Sequence, residues 1–428
     1  MKEYMQEYIK AHIDGSTAKS MKVNSKAFIK WMAIAIVIGL VVGFISTMFH
    51  YAIEYATEFR YDHPWMLYLL PVAGVLIVGI YRHYNAENHR GTDFILASIR
   101  ENKPITTETS IMIFFSTVIT HLCGGSSGRE GAALQLGGSL ADYFGKLIKL
   151  DEKDMSLITI VGMCTAFAAL FGTPLTAVVF SIEVVSIGIM HYSALFPCVV
   201  SAVTACMLAW NMGVHKTFFS VIGVPALTPE YFIRVALLAI MGAILSVVFC
   251  RSMHAGKKFY KKYFKNKFTR AIAGGFIIIA LTLLVGNRHY NGAGMEMIQF
   301  AFVGKVVWYA FILKIIFTSL TLGAGFRGGE IVPAFFTGAT FGNVAAPLVG
   351  LSPSFGAGIG LISVFCGVTN CPIASIILSI ELFGTDGVLF YALACAIGYL
   401  LSGYTGLYSE QKILYSKTRA EYININAE

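Results

Sequence analysis

Phe171-Gly-Thr-Pro-Leu-Thr-Ala-Val-Val-Phe-Ser-Ile-Glu183 reappears later in the chain as Thr369-Asn-Cys-Pro-Ile-Ala-Ser-Ile-Ile-Leu-Ser-Ile-Glu381. Pro174 and Pro372, Ser181 and Ser379, and Glu183 and Glu381 each lie 198 residues apart (372−174, 379−181, 381−183). The same offset joins Arg129 to Arg327 (327−129), each inside a glycine-rich loop upstream of its copy. One offset over four landmarks marks a duplication. A repeated apolar chain interrupted by glycine is the pattern of a transporter built from two halves, with its substrate site between them.

Composition sets the solvent. Hydrophobic residues make up 56% of the 428 and charged residues 13%, with mean hydropathy +0.68; a soluble domain carries about 25% charged residues. Apolar runs recur from Ala33–Met48 to Gly387–Leu401. Several are shorter than the ~20 residues that cross a bilayer as a helix, so some helices are expected to start or stop inside the membrane. The first run lies too deep in the chain for a cleaved signal peptide. The expected fold class is an all-α polytopic membrane protein. Eight cysteines lie mostly in these runs, without Cys-x-x-Cys or metal-ligand spacing. They read as small buried hydrophobes, and neither metal nor cofactor is expected.

The net charge of +8 is concentrated in two blocks. Lys19, Lys22, Lys26 and Lys30 precede the first span, and Arg251–Arg270 holds Lys257, Lys258, Lys261, Lys262, Lys265 and Lys267. Juxtamembrane lysines mark the cytoplasmic side and contact anionic lipid; no nucleic-acid partner is expected. Shifted by 198, the first span falls on the run ending near Cys250. Lysines precede the helix in one copy and follow it in the other, so the halves are expected to be inverted. The resulting division is a cytoplasmic segment 1–30, a first repeat 31–212, a linker 213–229, an inverted repeat 230–408 and a short tail 409–428. Both termini would be cytoplasmic in a multi-pass plasma-membrane protein, the inner membrane in a bacterium.

The chemistry concentrates in two loops. Gly124-Gly-Ser-Ser-Gly-Arg-Glu-Gly131 opens into the apolar run Ala132–Leu147, and Gly323-Ala-Gly-Phe-Arg-Gly-Gly-Glu-Ile-Val-Pro333 opens into Ala334–Val349. A helix N-terminus presents unpaired N–H groups and the positive end of its dipole. Glycine lets backbone approach an ion closely, and non-helical backbone persists in a membrane only where it lines a cavity or is buried. Two such N-termini make an anion site without a fixed cation; the alternative is that the glycines serve only close helix crossing.

Gly128-Arg-Glu-Gly131, the Gly-Gly-x-x-x-Pro of Gly328–Pro333, the repeated proline helices and a late Gly-Leu-Tyr408 resemble the CLC anion channels and transporters. The resemblance runs from the first span to Tyr408 in the family's order. It implies a CLC-type inverted repeat of tilted, partly spanning helices, and a homodimer with one anion pathway per subunit. It makes Glu130 the gating carboxylate, with Arg129 in a structural or electrostatic role, and places the Tyr408 hydroxyl at the inner end of the anion site. The family's Gly-Ser-Gly-Ile-Pro falls on Gly91-Thr-Asp-Phe-Ile95, leaving the Thr92 hydroxyl for the anion. The anion-binding set carried over is Thr92, Gly128, Gly131, Ile331, Val332, Phe335, Phe336 and Tyr408, supported by Arg129, Gly328, Gly329 and Pro333. A lone carboxylate at the mouth of an anion site can fill that site when ionised and vacate it when protonated, which suits a proton-coupled gate. A plain ion pair with Arg129 is the alternative for Glu130, and interfacial anchoring the alternative for Tyr408.

Departures from the common family pattern point further. Ala132 replaces a proline, and Val184 stands where chloride/proton exchangers carry a second glutamate. Glu330 occupies Gly329-Glu-Ile-Val-Pro333 where chloride-type members have an apolar residue. A glutamate inside a pore segment is expensive; the alternative is a helix N-cap. This combination resembles the fluoride-transporting branch, in which that glutamate serves the proton pathway, although the branch places a hydroxyl where Val332 stands. Aromatic ring edges are positive, so Phe335, Phe336 and Phe94 are candidates to solvate a small anion. Glu183 and Glu381 read as scaffold, satisfying backbone N–H groups, and His121 as a packing residue. The expected function is a proton-coupled antiporter exporting fluoride, with halide and protons as its partners. A chloride/proton exchanger or passive chloride channel is the alternative. A membrane-embedded acid/base enzyme using Glu130, Glu330 and His121 is the distant one, disfavoured because HExxH, Gly-x-Ser-x-Gly and paired intramembrane aspartates are missing.

Overall fold

The computed structural model describes residues 2–86, 91–101, 105–106 and 108–427, with residues 2–24 as backbone alone. The first repeat runs through α1 (Lys2–Asp62), α2 (Leu70–His83), α3 (Thr92–Glu101), α4 (Glu108–Leu122), α5 (Glu130–Leu147), α6 (Glu152–Phe171), α7 (Pro174–Glu183) and α8 (Leu195–Asn211). The second runs through α9 (Pro229–Tyr263), α10 (Lys267–Val285), α11 (Met295–Val303), α12 (Ala310–Ala324), α13 (Ile331–Ala345), α14 (Pro353–Thr369), α15 (Pro372–Phe383) and α16 (Val388–Leu401). Moving α7 by 198 gives 372–381, the opening of α15, and the same shift carries α6 onto α14. Counterparts pack on each other: α2 against α10, α5 against α13 and α7 against α15. The fold is an inverted repeat of membrane helices.

Among the described residues, seven helices are long and apolar enough to cross a bilayer, and six further apolar helices are shorter. Burial sorts them. The apolar windows of α6 and α13 are 78% buried, against 33% for α10, so the former line the interior and the latter faces lipid. The chain breaks between helices where local chemistry dictates. Gly172 and Asn370, equivalent under the 198 shift, both adopt left-handed backbone (φ 65° and 58°) and stop α6 and α14. Pro174 and Pro372 then open α7 and α15 at the one helical position where a missing N–H is harmless.

Those two proline helices begin with orphan N–H groups, and each is capped by a glutamate from the other repeat. Glu381 accepts from the N–H of Leu175 (3.1 Å) and Thr176 (2.8 Å); Glu183 accepts from Ile373 (3.2 Å) and Ala374 (2.8 Å). The reciprocal caps bear out the scaffold reading of both residues. Glu381→Ala strips a buried donor, Thr176 N–H, and a half-buried one, Leu175 N–H, of their acceptor, at ~1–3 kcal/mol for a buried group. The variant is expected to lose roughly 2–4 kcal/mol of stability, read as a lowered melting temperature in detergent.

In the stretch that reads as a short tail, residues 409–427 are docked onto the helices. Strands β2 (Lys412–Tyr415) and β3 (Tyr422–Asn426) form an antiparallel hairpin, and β2 pairs in parallel with β1 (Ser186–Ile187) beyond α7. Helix ends leave carbonyls without partners. The Gln411 amide donates to two of them, Val184 and Thr369, both at 2.9 Å. Lys417 adds donations to Asn370 Oδ1 (2.5 Å), the Tyr399 carbonyl (2.9 Å) and Ser402 Oγ (3.1 Å). These contacts are long-range and leave no local pattern in the sequence.

Candidate functional site

The two glycine-rich loops meet at the centre of the molecule. Gly128 N–H donates to the Gly329 carbonyl (2.7 Å), and Gly329 N–H to the Gly128 carbonyl (2.6 Å), an isolated antiparallel bridge. Loops related by an inverted repeat run in opposite directions where they meet, so they can pair in this way. The bridge brings the N-termini of α5 and α13 face to face. It needs glycine: a Cβ on Gly329 would lie 2.6 Å from the Gly131 nitrogen, and one on Gly328 would lie 2.3 Å from Ser127 Oγ.

Glu130, 1% exposed, folds back over this bridge. Its Oε2 accepts from the Arg129 N–H (3.0 Å), and the N–H groups of Glu130 and Val332 are also directed to the carboxylate. Arg129 Nε lies 3.6 Å from Oε1. The ion pair with Arg129 is therefore present, but it is only part of the setting. The carboxylate sits where N–H groups from both repeats converge, the position an anion would take. Ile331 and Val332 form the buried first turn of α13, and the Pro333 carbonyl accepts the Thr337 hydroxyl (2.8 Å).

The other expected residues divide. Tyr408 is buried and close enough to Glu130, Glu330 and Asp93 for their charges to act on it. Thr92 lies beside the site, but its hydroxyl donates to the Gly131 carbonyl (3.1 Å), so that proton is engaged within α5. Phe335 packs edge-on against Phe171 and Phe365, with centroids 5.9 and 5.1 Å away. Phe336 points elsewhere, against Tyr290 (6.0 Å) and beneath the Lys314 ammonium (5.2 Å). Phe94 packs at the core margin. His121 braces the first loop, its Nε2 3.3 Å from the Gly128 carbonyl, and Arg60 donates to the His121 carbonyl (3.1 Å). A packing histidine was expected and is found.

The voltage gated chloride channel family profile matches residues 73–403. The chain belongs to that family, the CLC channels and transporters. It is 36% identical over 395 residues to a "chloride/fluoride channel protein" of Pseudomonas syringae pv. tomato, covering 91% of this chain and 87% of the relative. A crystal structure of a CLC-type fluoride/proton antiporter superposes with a TM-score of 0.86 at 30% identity, over 90% of this chain and 98% of that one. A slow cyanobacterial Cl−/H+ antiporter shares the fold, with a TM-score of 0.74 at 18% identity over 87% and 94% of the two chains. CLC proteins are transporters and channels, and no enzymatic activity is indicated for this chain.

Within this CLC chain the second loop departs from the first. Arg129 turns towards Glu130, whereas Arg327 stacks on Tyr81 of α2, 4.1 Å from the ring centroid. Glu330 sits at the N-cap position of α13, yet its side chain makes no capping bond. It reaches Lys257 of α9 instead, with Nζ 3.4 Å from Oε1. Sequence reading counted Lys257 only as a topological lysine. It also passed over Asp93, next to Thr92, which accepts from the Ser409 hydroxyl (3.0 Å) and the Glu410 N–H (3.2 Å). Lys314, fully buried in an apolar run, was missed as well; it donates to the carbonyls of Gly292 (2.7 Å) and Tyr290 (3.3 Å). Val184 is buried, and its side chain offers no proton acceptor.

Proposed function

We propose that this CLC protein exports fluoride in exchange for protons, with Glu130 as the gate and Glu330 on the proton route. The observation that carries this reading is the Glu130 carboxylate seated at the converging N-termini of α5 and α13, with Glu330 in the facing loop. A proton on Glu130 removes the charge that holds it among those N–H groups, and the freed site takes an anion. Deprotonation returns the carboxylate and displaces the anion, so the two ions exchange. Glu330 supplies the carboxylate that Val184 lacks. The fluoride named for the Pseudomonas relative and for the antiporter structure supports the choice of anion.

The lysine-rich ends of α1 and α9 face the cytoplasm by the positive-inside rule, with both termini on that side. The halves 31–212 and 230–408 form one pathway, in a homodimer as the family resemblance implies, within the plasma membrane or a bacterial inner membrane.

Reconstituted protein with an imposed proton gradient tests the reading. Fluoride is expected to move against protons and to outpace chloride by about tenfold or more, the ratio that ~1.4 kcal/mol of differential binding supplies. A second reading, exchange or passive flow of chloride, draws on Val332, which offers no hydroxyl to a small hydrated anion. Chloride flux matching fluoride flux, or anion flux without proton movement, would establish it instead.

A further inference from the structure

Lys257 is placed by backbone packing. A Cβ on Gly256 would lie 2.3 Å from the Ser319 carbonyl oxygen, and one on Gly323 would lie 2.6 Å from the Gly256 carbonyl carbon. Helices α9 and α12 therefore cross in backbone contact one residue before Lys257, at the start of the second glycine-rich loop. One turn earlier on α9, His254 Nε2 lies 3.2 Å from the Gly406 carbonyl, two residues before Tyr408. Neighbouring turns of α9 thus contact both the segment before Tyr408 and the second glycine-rich loop.

The charges facing the Lys257 ammonium come from two elements: Glu330 and Arg327 of the second loop, and Asp93 of α3. Asp93 is pinned by Ser409 and Glu410, and Glu410 in turn lies 3.5 Å from Arg100. Among the described residues, Lys257 is the one hydrogen-bond or ion-pair partner of the Glu330 side chain. The Glu330 side chain is 15% exposed and that of Lys257 is 43% exposed, so the pair sits at the edge of the protein interior.

We propose that Lys257 is the positioning residue for Glu330, an ion-pair tether that holds the carboxylate against α9 while it is charged and releases it when it takes a proton. The attraction requires both charges, so it ends when the carboxylate takes a proton. The Asp93 charge also attracts the ammonium, so Glu330 meets the same partner when it ionises. This rests on the reading that Glu330 carries protons.

Full-length protein in liposomes, as wild type, Lys257→Met, Lys257→Arg, Glu330→Gln and the Lys257→Met/Glu330→Gln double variant, provides the test. The readouts are protons moved per fluoride, anion flux, and melting temperature. Lys257→Met is expected to lower the proton-to-fluoride ratio about tenfold, within the coupling range of contacting charged residues, while Lys257→Arg stays within about twofold of wild type. The double variant is expected to lose no more than Glu330→Gln alone. A wild-type ratio in Lys257→Met, or losses that multiply in the double variant, overturns the tether. A lowered melting temperature with no rescue by arginine also overturns it, since that pattern marks a packing role. If wild type moves no protons, the antiport reading fails separately. The same four-corner comparison is then read on anion flux: non-additivity retains the tether and additivity removes it.

Discussion

Glu130→Ala is expected to uncouple the protein: proton flux falls by at least about 100-fold, the scale of losing a positioned acid/base group, while anion flux continues. The reason lies in what the carboxylate touches. It occupies N–H groups contributed by both repeats, at the N-termini of α5 and α13, and is 1% exposed. Alanine leaves those donors without their resident anion, so a halide meets an open site and no longer competes with a tethered carboxylate. Fluoride binding by calorimetry is therefore expected to tighten in the alanine variant. Glu130→Gln, uncharged and similar in shape, should likewise stop proton movement. Measuring fluoride and proton fluxes side by side decides the matter. Proton movement within about twofold of wild type in Glu130→Ala would remove Glu130 from the proton path.

Gly329→Ala carries the second large effect. The added Cβ would meet two backbone nitrogens, Gly131 at 2.6 Å and Glu130 at 3.0 Å, neither of which can rotate aside. The bridge between Gly128 and Gly329 must open, and the two helix N-termini separate. Overpacking of this kind costs typically ~1–3 kcal/mol. Function should suffer more than stability, with anion flux down by about 100-fold or more, because a misplacement of ~1 Å at a preorganised site is felt steeply. Gly79→Ala is the control: it lies in α2 with no heavy atom within 4 Å of the added Cβ, and should transport normally. Wild-type flux in Gly329→Ala would show that the bridge does not build the site.

Much of this was legible beforehand because it is written in local chemistry. The helix breaks at Gly172-Thr-Pro174 and Asn370-Cys-Pro372, the glycine-rich loops, and the glutamate inside the first of them all act within a few residues of where they stand. The repeat could be read because both copies kept the same breaks at the same spacing. Glu183 and Glu381 were legible as scaffold, but their partners were not: each caps the proline helix of the other half, 190 to 206 residues away. Phe335 and Phe336 are neighbours in sequence and diverge in space, since successive residues of a helix leave it about 100° apart.

The sequence by itself determined the membrane class, the duplication, its inverted sense and the two helix N-termini that follow the glycine-rich loops. These follow from apolar run lengths, lysine placement and glycine position. Only the tertiary structure decided which charges meet. Arg129 and Arg327 hold equivalent positions, yet one turns to Glu130 and the other stacks on Tyr81, because their neighbours come from different helices. Lys257 reaches Glu330 across 73 residues (330−257) because Gly256 and Gly323 let α9 and α12 touch backbone to backbone. Coulomb interactions depend on distance in space, and no spacing along the chain encodes that.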